Sequence, residues 1–187
     1  MAKGKLLVVS GPSGVGKGTI CNQILSADSN IMFSVSMTTR NPREGEVDAV
    51  NYFFTDKESF EKLLAEGGLL EHNCYCGNYY GTPRKQVEAW LEEGKDVMLE
   101  IDFNGAFQIR ESYPECVMIF ILPPSMEALR SRIEGRGTEN EETIQKRLDE
   151  AATEMSHADE YDYRVVNDNL EDAIKQVQDI IDKERNN

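Results

Sequence analysis

The sequence predicts an α/β protein with a parallel sheet flanked by helices. Three observations carry this. Short, wholly apolar runs of strand length recur along the chain, and segments with apolar residues at helical spacing lie between them. The first run, Leu6-Leu-Val-Val-Ser10, also passes through a glycine-rich turn into an amphipathic segment. Runs that are apolar throughout, rather than alternating, belong to strands covered on both faces, which is the product of crossover helices.

Taken in order, strands are expected over Lys5–Ser10, Asp96–Ile101 and Val117–Leu122, with a less apolar one over Tyr163–Val166. A helix follows the first turn through Thr19–Leu25. Phe60, Leu63 and Leu64 share a helical face, and Gly67-Gly68 stops that helix. Val87, Trp90 and Leu91 do the same before Gly94, which assigns Trp90 to the core. Thr138-Glu-Asn-Glu141 has the spacing of a capping box that opens a helix with Ile144, Leu148, Ala151 and Met155 on one side. Leu170, Ala173, Ile174, Val177, Ile180 and Ile181 keep helical spacing toward the C-terminus.

Residues 34–85 break the strand–helix rhythm with Pro42, Gly45, two strand-like runs (Asn51–Thr55 and Leu69–Cys76), one helix and an aromatic turn, Gly77-Asn-Tyr-Tyr-Gly81. They read as a small α+β insertion. Residues 126–158, polar and rich in arginine, read as a helical lid, and residues 1–33, 86–125 and 159–187 make up the core.

Composition narrows the function. The chain has 187 residues, 40% hydrophobic and 29% charged, with a net charge of −14. An acidic chain is a poor partner for a nucleic-acid polymer, which needs a basic face. A few cations focused in a cleft still hold a small phosphate ligand. No apolar run approaches the roughly 20 residues that span a bilayer. Met1-Ala-Lys-Gly-Lys5 leads straight into the first strand, so a cytoplasmic protein without membrane attachment is expected. Cys21, Cys74, Cys76 and Cys116 match no zinc spacing, and His72-Asn-Cys-Tyr-Cys76 is too compact for a tetrahedral site, so reduced thiols are expected.

Gly11-Pro-Ser-Gly-Val-Gly-Lys-Gly18 has the G-x-x-x-x-G-K spacing of a P-loop, and it lies where such a loop works, between a buried strand and a helix. Backbone N–H groups there wrap a phosphate, the helix N-terminus adds positive potential, and Lys17 reaches the outer phosphates. The core is therefore expected to be of the P-loop NTPase kind. The nucleotide would be held by Gly11, Pro12, Ser13, Gly14, Val15, Gly16, Lys17, Gly18 and Thr19. Gly18 stands where Ser or Thr usually offers a hydroxyl to magnesium, and Thr19 is the substitute within reach.

Three further groups carry chemistry. Arg40 and Arg43 flank Pro42 in an extended turn, as two guanidinium forks suited to a terminal phosphate, with pairing to Glu44 or Glu46 as the plain alternative. Arg130, Arg132, Arg136 and Arg147 form a second basic group, in which Arg136 lies at a flexible Gly-Arg-Gly tip. Glu100 and Asp102 lie at the C-terminal end of a strand, where ligands of open α/β sheets bind. Alternation puts both on one side, with Glu100 a candidate for a magnesium-bound water.

These segments together resemble the guanylate kinase family across essentially the whole chain. The resemblance is carried by Gly11–Lys17, Ser34-Val-Ser-Met-Thr-Thr-Arg-Asn-Pro-Arg43, Gly45-Glu46, Tyr52-Phe53, Glu71, Gly77-Asn-Tyr-Tyr-Gly-Thr82, Glu100-Ile-Asp102, Arg136-Gly-Thr-Glu139, Lys146-Arg-Leu148 and Val166-Asn-Asp168. It implies transfer of the γ-phosphoryl group of ATP to GMP with magnesium, and that residues 34–85 bind GMP. By the same resemblance Ser36, Glu71, Thr82 and Asp102 surround guanine, beside Gly81, and Arg40, Arg43, Tyr52 and Tyr80 hold the GMP phosphate. Lys17, Arg136 and Arg147 act on the transferred phosphoryl group, and Asn167 and Asp168 lie near adenine. The chemistry of the base agrees. Guanine offers N1–H and a 2-amino group to carboxylates such as Glu71 and Asp102, and its O6 accepts from a hydroxyl such as Ser36 or Thr82.

The chain departs from the family pattern at Gly18, at Asp48-Ala-Val-Asn51 and at Glu100, where some relatives carry Asp. Two rivals remain in view. A kinase for a ribose phosphate has no use for the paired carboxylates Glu71 and Asp102. A non-catalytic binding module of the same fold has no need of Gly16, Lys17 and both arginine sets. Oligomeric state is open.

Overall fold

A computed structural model describes residues 3–75, 77–135 and 140–186. The chain divides into two compact units. One takes residues up to Leu6, Asn30–Leu99 and Asn104–Cys116, and the other takes Leu7–Ser29, Glu100–Phe103 and everything from Val117 onward.

The second unit is built on parallel strands β1 (Leu6–Ser10), β8 (Val117–Leu122) and β9 (Tyr163–Val166), paired in that order, with Leu7 opposite Val117 and Ile119 opposite Tyr163. Leu7, Val8, Val9, Met118, Ile119, Phe120 and Ile121 are fully buried, as expected of strands covered on both faces. The covering helices are α1 (Lys17–Ala27), α5 (Met126–Glu134), α6 (Glu141–Ser156) and α7 (Leu170–Arg185), with α1 packed on α7 and α5 on α6. Side-chain caps start three of them. Ser125 accepts from Ala128, Asn140 from Thr143 and Asn169 from Asp172.

The first unit holds a parallel pair, β2 (Ile31–Phe33) with β7 (Asp96–Glu100). It also holds a four-stranded sheet in the order β4 (Phe53–Phe54), β3 (Met37–Thr38), β6 (Asn78–Pro83), β5 (Leu69–Tyr75). The β3–β6 and β5–β6 pairs are antiparallel, and the β5–β6 register shifts between Leu69 and His72. Helices α2 (Lys57–Ala65), α3 (Arg84–Glu92) and α4 (Phe103–Ser112) complete it. Phe60 of α2 is fully buried and stacks on Tyr79 of β6 at 5.4 Å.

Four sequence expectations shift. The N-cap of α6 is Asn140, which takes over from the expected box at Thr138 because its carboxamide lies one residue before the first turn; Thr138 and Glu139 fall outside the described residues. Gly77-Asn-Tyr-Tyr-Gly81 is mostly strand, since its aromatic residues pair across to β5 and only its start turns. Trp90 is partly exposed, the core of α3 being Val87 and Leu91. Strand β7 ends at Glu100, so Asp102 lies beyond the alternating ladder, exposed, while Glu100 is half-buried. Among the described residues no helix is long and apolar enough to cross a membrane.

Candidate active site

The end of β1 and the start of α1 fix the P-loop. Gly11 has φ 146°, and a Cβ there would meet the Ile121 carbonyl oxygen at 2.3 Å, so only glycine lets the loop leave the sheet in this direction. Gly16 caps α1 at φ 104°, and a Cβ there would lie 2.6 Å from Asn167 Nδ2. The loop is braced from outside. Asn167, buried at the end of β9, donates Nδ2 to the Val15 carbonyl at 2.8 Å. Arg132 of α5 donates to the Asn167 carbonyl at 2.8 Å and to the Val15 carbonyl at 3.3 Å. Arg147 of α6 donates to the Ser13 hydroxyl at 2.6 Å.

Under the loop lies a cavity of about 410 Å³, lined by Ser13, Gly14, Gly16, Lys17, Gly18, Thr19, Asn22 and Glu100. Lys17 donates to the carbonyls of Gly11 at 2.5 Å and Pro12 at 3.2 Å. Burial lowers its pKa, and the carboxylates of Glu100 and Glu154 resist that. Glu100 shifts the other way for the same reason: burial raises its pKa and the Lys17 charge restrains it. A Cβ on Gly18 would stand 3.6 Å from Glu100 Oε2, an ordinary contact, so the Glu100 carboxylate faces the position whose hydroxyl is missing. Magnesium takes few protein ligands and keeps several waters, and one half-buried carboxylate beside a phosphate loop suits it. Among the described residues no cluster of three or more His, Cys, Asp or Glu is arranged to hold a metal by itself.

In the first unit the arginine turn folds onto aromatic rings. The Arg40 guanidinium lies 5.3 Å from the centre of the Tyr52 ring, and Tyr52 meets Tyr80 edge-on at 6.0 Å. Arg40 is also held bidentately by Glu46 at 2.8 and 2.9 Å, which raises the arginine pKa and pulls the carboxyl down to about 2. Glu46 further accepts from the Arg43 backbone N–H at 2.7 Å, while the Arg43 residue itself is exposed. The plain alternative for this turn, an ion pair with Glu46, is therefore formed by Arg40 and leaves its aromatic contacts in place.

Glu71 of β5 is buried, and its Oε1 accepts from the Thr82 hydroxyl at 2.6 Å. The Thr82 hydroxyl thus orients the Glu71 carboxylate. Ser36 is half-buried next to β3, and its carbonyl accepts from Phe53 N–H at 2.9 Å. Gly81 of β6 is buried, and a Cβ there would crowd the Glu71 carbonyl oxygen at 2.9 Å.

The comparisons fit this geometry. The family model described as guanylate kinase matches residues 3–184. The chain belongs to the guanylate kinase family. A guanylate kinase of Clostridium tetani (strain Massachusetts / E88) is 51% identical over 99% of this chain and 88% of its own length. One of Halalkalibacterium halodurans is 52% identical over 97% of this chain and 89% of its own. The crystal structure of guanylate kinase from Anaplasma phagocytophilum superposes with a TM-score of 0.81 at 40% identity, covering 98% of this chain and 87% of that one.

For a guanylate kinase chain, the sequence-expected nucleotide residues Gly11 to Thr19, Asn167 and Arg147 do come together in one unit, and Arg40, Tyr52, Tyr80, Glu71, Thr82 and Gly81 all fall in the other. Asp168 is exposed beside Asn167. Arg136 lies outside the described residues. Arg130 is engaged by Glu134 at 2.7 Å and by Glu141, the solvated ion pairing expected of a surface helix. Arg132 was visible in the sequence only as one of four arginines, and its bracing of Val15 and Asn167 had no local signal. Glu154, whose charge acts on Lys17 from α6, was missed because nothing about residue 154 in sequence places it near residue 17.

Proposed function

We propose that this chain transfers the γ-phosphoryl group of ATP to GMP, and to dGMP, giving ADP and GDP. A GMP phosphate oxygen attacks the γ-phosphorus in line, the bond to the β–γ bridging oxygen breaks, and ADP leaves with that electron pair. Such a transfer needs no covalent enzyme intermediate, so catalysis is positioning and charge neutralisation.

P-loop N–H groups and Lys17 would fix the ATP phosphates, with Asn167 and Asp168 near the adenine. Arg40, Arg43, Tyr52 and Tyr80 would hold the GMP phosphate; a guanidinium has five N–H donors, so Arg40 has donors to spare beyond those given to Glu46. Arg136 and Arg147 would complete the charge around the transferring group from residues 126–158, which we assign as lid. Residues 34–85 are assigned as the GMP-binding part, and residues 1–33, 86–125 and 159–187 as the core. Thr19 and Glu100 would hold magnesium, directly or through water, and the ion would neutralise charge on the β- and γ-phosphates. Excluding water at closure would prevent hydrolysis of ATP. Cytoplasmic action on free nucleotides, without nucleic-acid or membrane partners, follows from the same reading.

The observation that carries the choice of base is Glu71, an acceptor buried at 5% exposure and aimed by Thr82. A fixed acceptor selects a base that presents N1–H and a 2-amino donor. Adenine would oppose it with the N1 acceptor and leave the charge unpaired, a mismatch that can discriminate by about 10⁴-fold. The test is a coupled assay with ATP against GMP, dGMP, AMP and UMP. Turnover confined to the two guanine nucleotides supports the proposal. Turnover of AMP at the GMP rate, or of a ribose phosphate without GMP, would overturn it.

A further inference from the structure

We propose that Gly105 and Gln108, one turn apart on α4, position the Glu71 carboxylate and thereby set selectivity for guanine over a purine lacking the 2-amino group. The proposal rests on the reading of Glu71 as the acceptor for guanine's N1–H and 2-amino group.

Strand pairing alone does not place Glu71. It lies in the stretch of β5 where the ladder to β6 shifts register, between Leu69 and His72. An irregular ladder leaves the strand's direction locally underdetermined, and other contacts must fix it. One comes from Gln108, whose side-chain amide mimics a neighbouring strand. Its Nε2 donates to the His72 carbonyl at 2.9 Å, and its Oε1 accepts from the His72 N–H at 3.1 Å. This two-way clamp ties α4 to the backbone next to Glu71.

The other contact is an absence of atoms. Gly105 is buried, and a Cβ there would stand 2.7 Å from Glu71 Oε2, 3.2 Å from Cδ and 3.4 Å from Cγ. The carboxylate occupies the space a side chain would take. It has little freedom to yield, because Thr82 pins its Oε1 at 2.6 Å and the residue is 5% exposed. Thr82 therefore fixes one carboxylate oxygen, Gly105 admits the other, and Gln108 holds the helix against the strand at that point. Neither residue touches substrate in this account, so both are positioning residues.

The test compares kcat/KM for GMP and for IMP, which keeps N1–H and O6 but lacks the 2-amino group, in wild type, G105A, Q108A, E71A and the E71A/G105A double variant. In G105A the ratio of GMP to IMP efficiency should fall at least tenfold, the scale of a displaced hydrogen bond to a charged group, with the KM for ATP unchanged. Q108A should lower the ratio several-fold. In the E71A background the G105A change should lower the ratio no further, since the two act through one carboxylate. If the wild type shows no preference for GMP, the reading of Glu71 fails and the proposal with it. If the wild type prefers GMP and E71A loses that preference, but G105A and Q108A keep it, the proposal alone is overturned. An equal loss on both substrates in G105A, with a lower melting temperature, would mean a purely structural role and overturn it as well.

Discussion

Replacing Thr82 with valine removes one hydroxyl and almost no volume, at a residue with 0% exposure. The hydroxyl donates to Glu71 Oε1 at 2.6 Å, and the carboxylate itself is 5% exposed. A hydrogen bond to a charged group contributes about 1.5–3 kcal/mol, and here the acceptor that would lose its donor is buried. In a chain of this length each kcal/mol moves the melting temperature by about 2–4 °C, so T82V should melt roughly 3–12 °C below wild type. Because Glu71 loses its anchor, KM for GMP should rise about tenfold while KM for ATP stays put. T82S keeps the donor and should restore both properties. Thermal melts followed by circular dichroism, with GMP titrations at saturating ATP, make the measurement. A T82V protein that melts within about 1 °C of wild type and binds GMP normally would show that this hydroxyl does not hold the carboxylate.

Four other outcomes are expected. Lys17→Ala should lower turnover by on the order of 10³-fold yet leave GMP affinity nearly unchanged, because Lys17 lies in the ATP-side loop; initial rates and equilibrium binding of GMP separate the two. Gly18→Ser should fit, since its Cβ meets Glu100 only at ordinary contact distance, and should tighten magnesium-dependent ATP binding in a magnesium titration; weaker binding would refute this. Glu46→Ala frees Arg40 but undoes the 40–46 turn that Glu46 ties at both arginines, so KM for GMP should rise with little change in kcat. Burial raises the Glu154 carboxyl to about 7 from an ordinary value of 4.5. The folded state therefore holds a proton that the unfolded chain releases, and stability falls as pH rises through that window. Allowing for partial exposure, the loss is about 1–2 kcal/mol. Melting curves of E154Q should show a shallower decline than wild type from about pH 5 to about pH 7.5, and parallel declines would refute this assignment.

The parallel core was legible because its strands are apolar throughout: Val117–Leu122 can be buried on two faces and little else. The P-loop was legible because its spacing encodes its own geometry, with the Gly16 conformation and the Lys17 position both local. What escaped were relations between distant residues. The Asn167 carboxamide is committed to Val15, 152 residues away, and Arg132 reaches the same carbonyl from α5. Gly77-Asn-Tyr-Tyr-Gly81 carries the glycines and asparagine of a turn, yet antiparallel pairing with β5 makes all but its start strand. Asp102 was placed by strand alternation, which stops when β7 stops at Glu100. The hydrogen bond from Thr82 to Glu71 likewise joins residues on two different strands, which no local pattern in the sequence announces.

The two hydrogen bonds that Lys17 makes to its own loop set a threshold on what the cavity accepts. Two of its three N–H donors already serve the neutral carbonyls of Gly11 and Pro12, so a molecule that draws them away must offer more than those carbonyls do. A nucleoside, with no formal charge, gains nothing by displacing them. A polyphosphate tail does, because its concentrated negative charge outweighs two carbonyl dipoles. On the proposed reading, the loop would discriminate by the charge a ligand brings to one atom as well as by the fit of its ring.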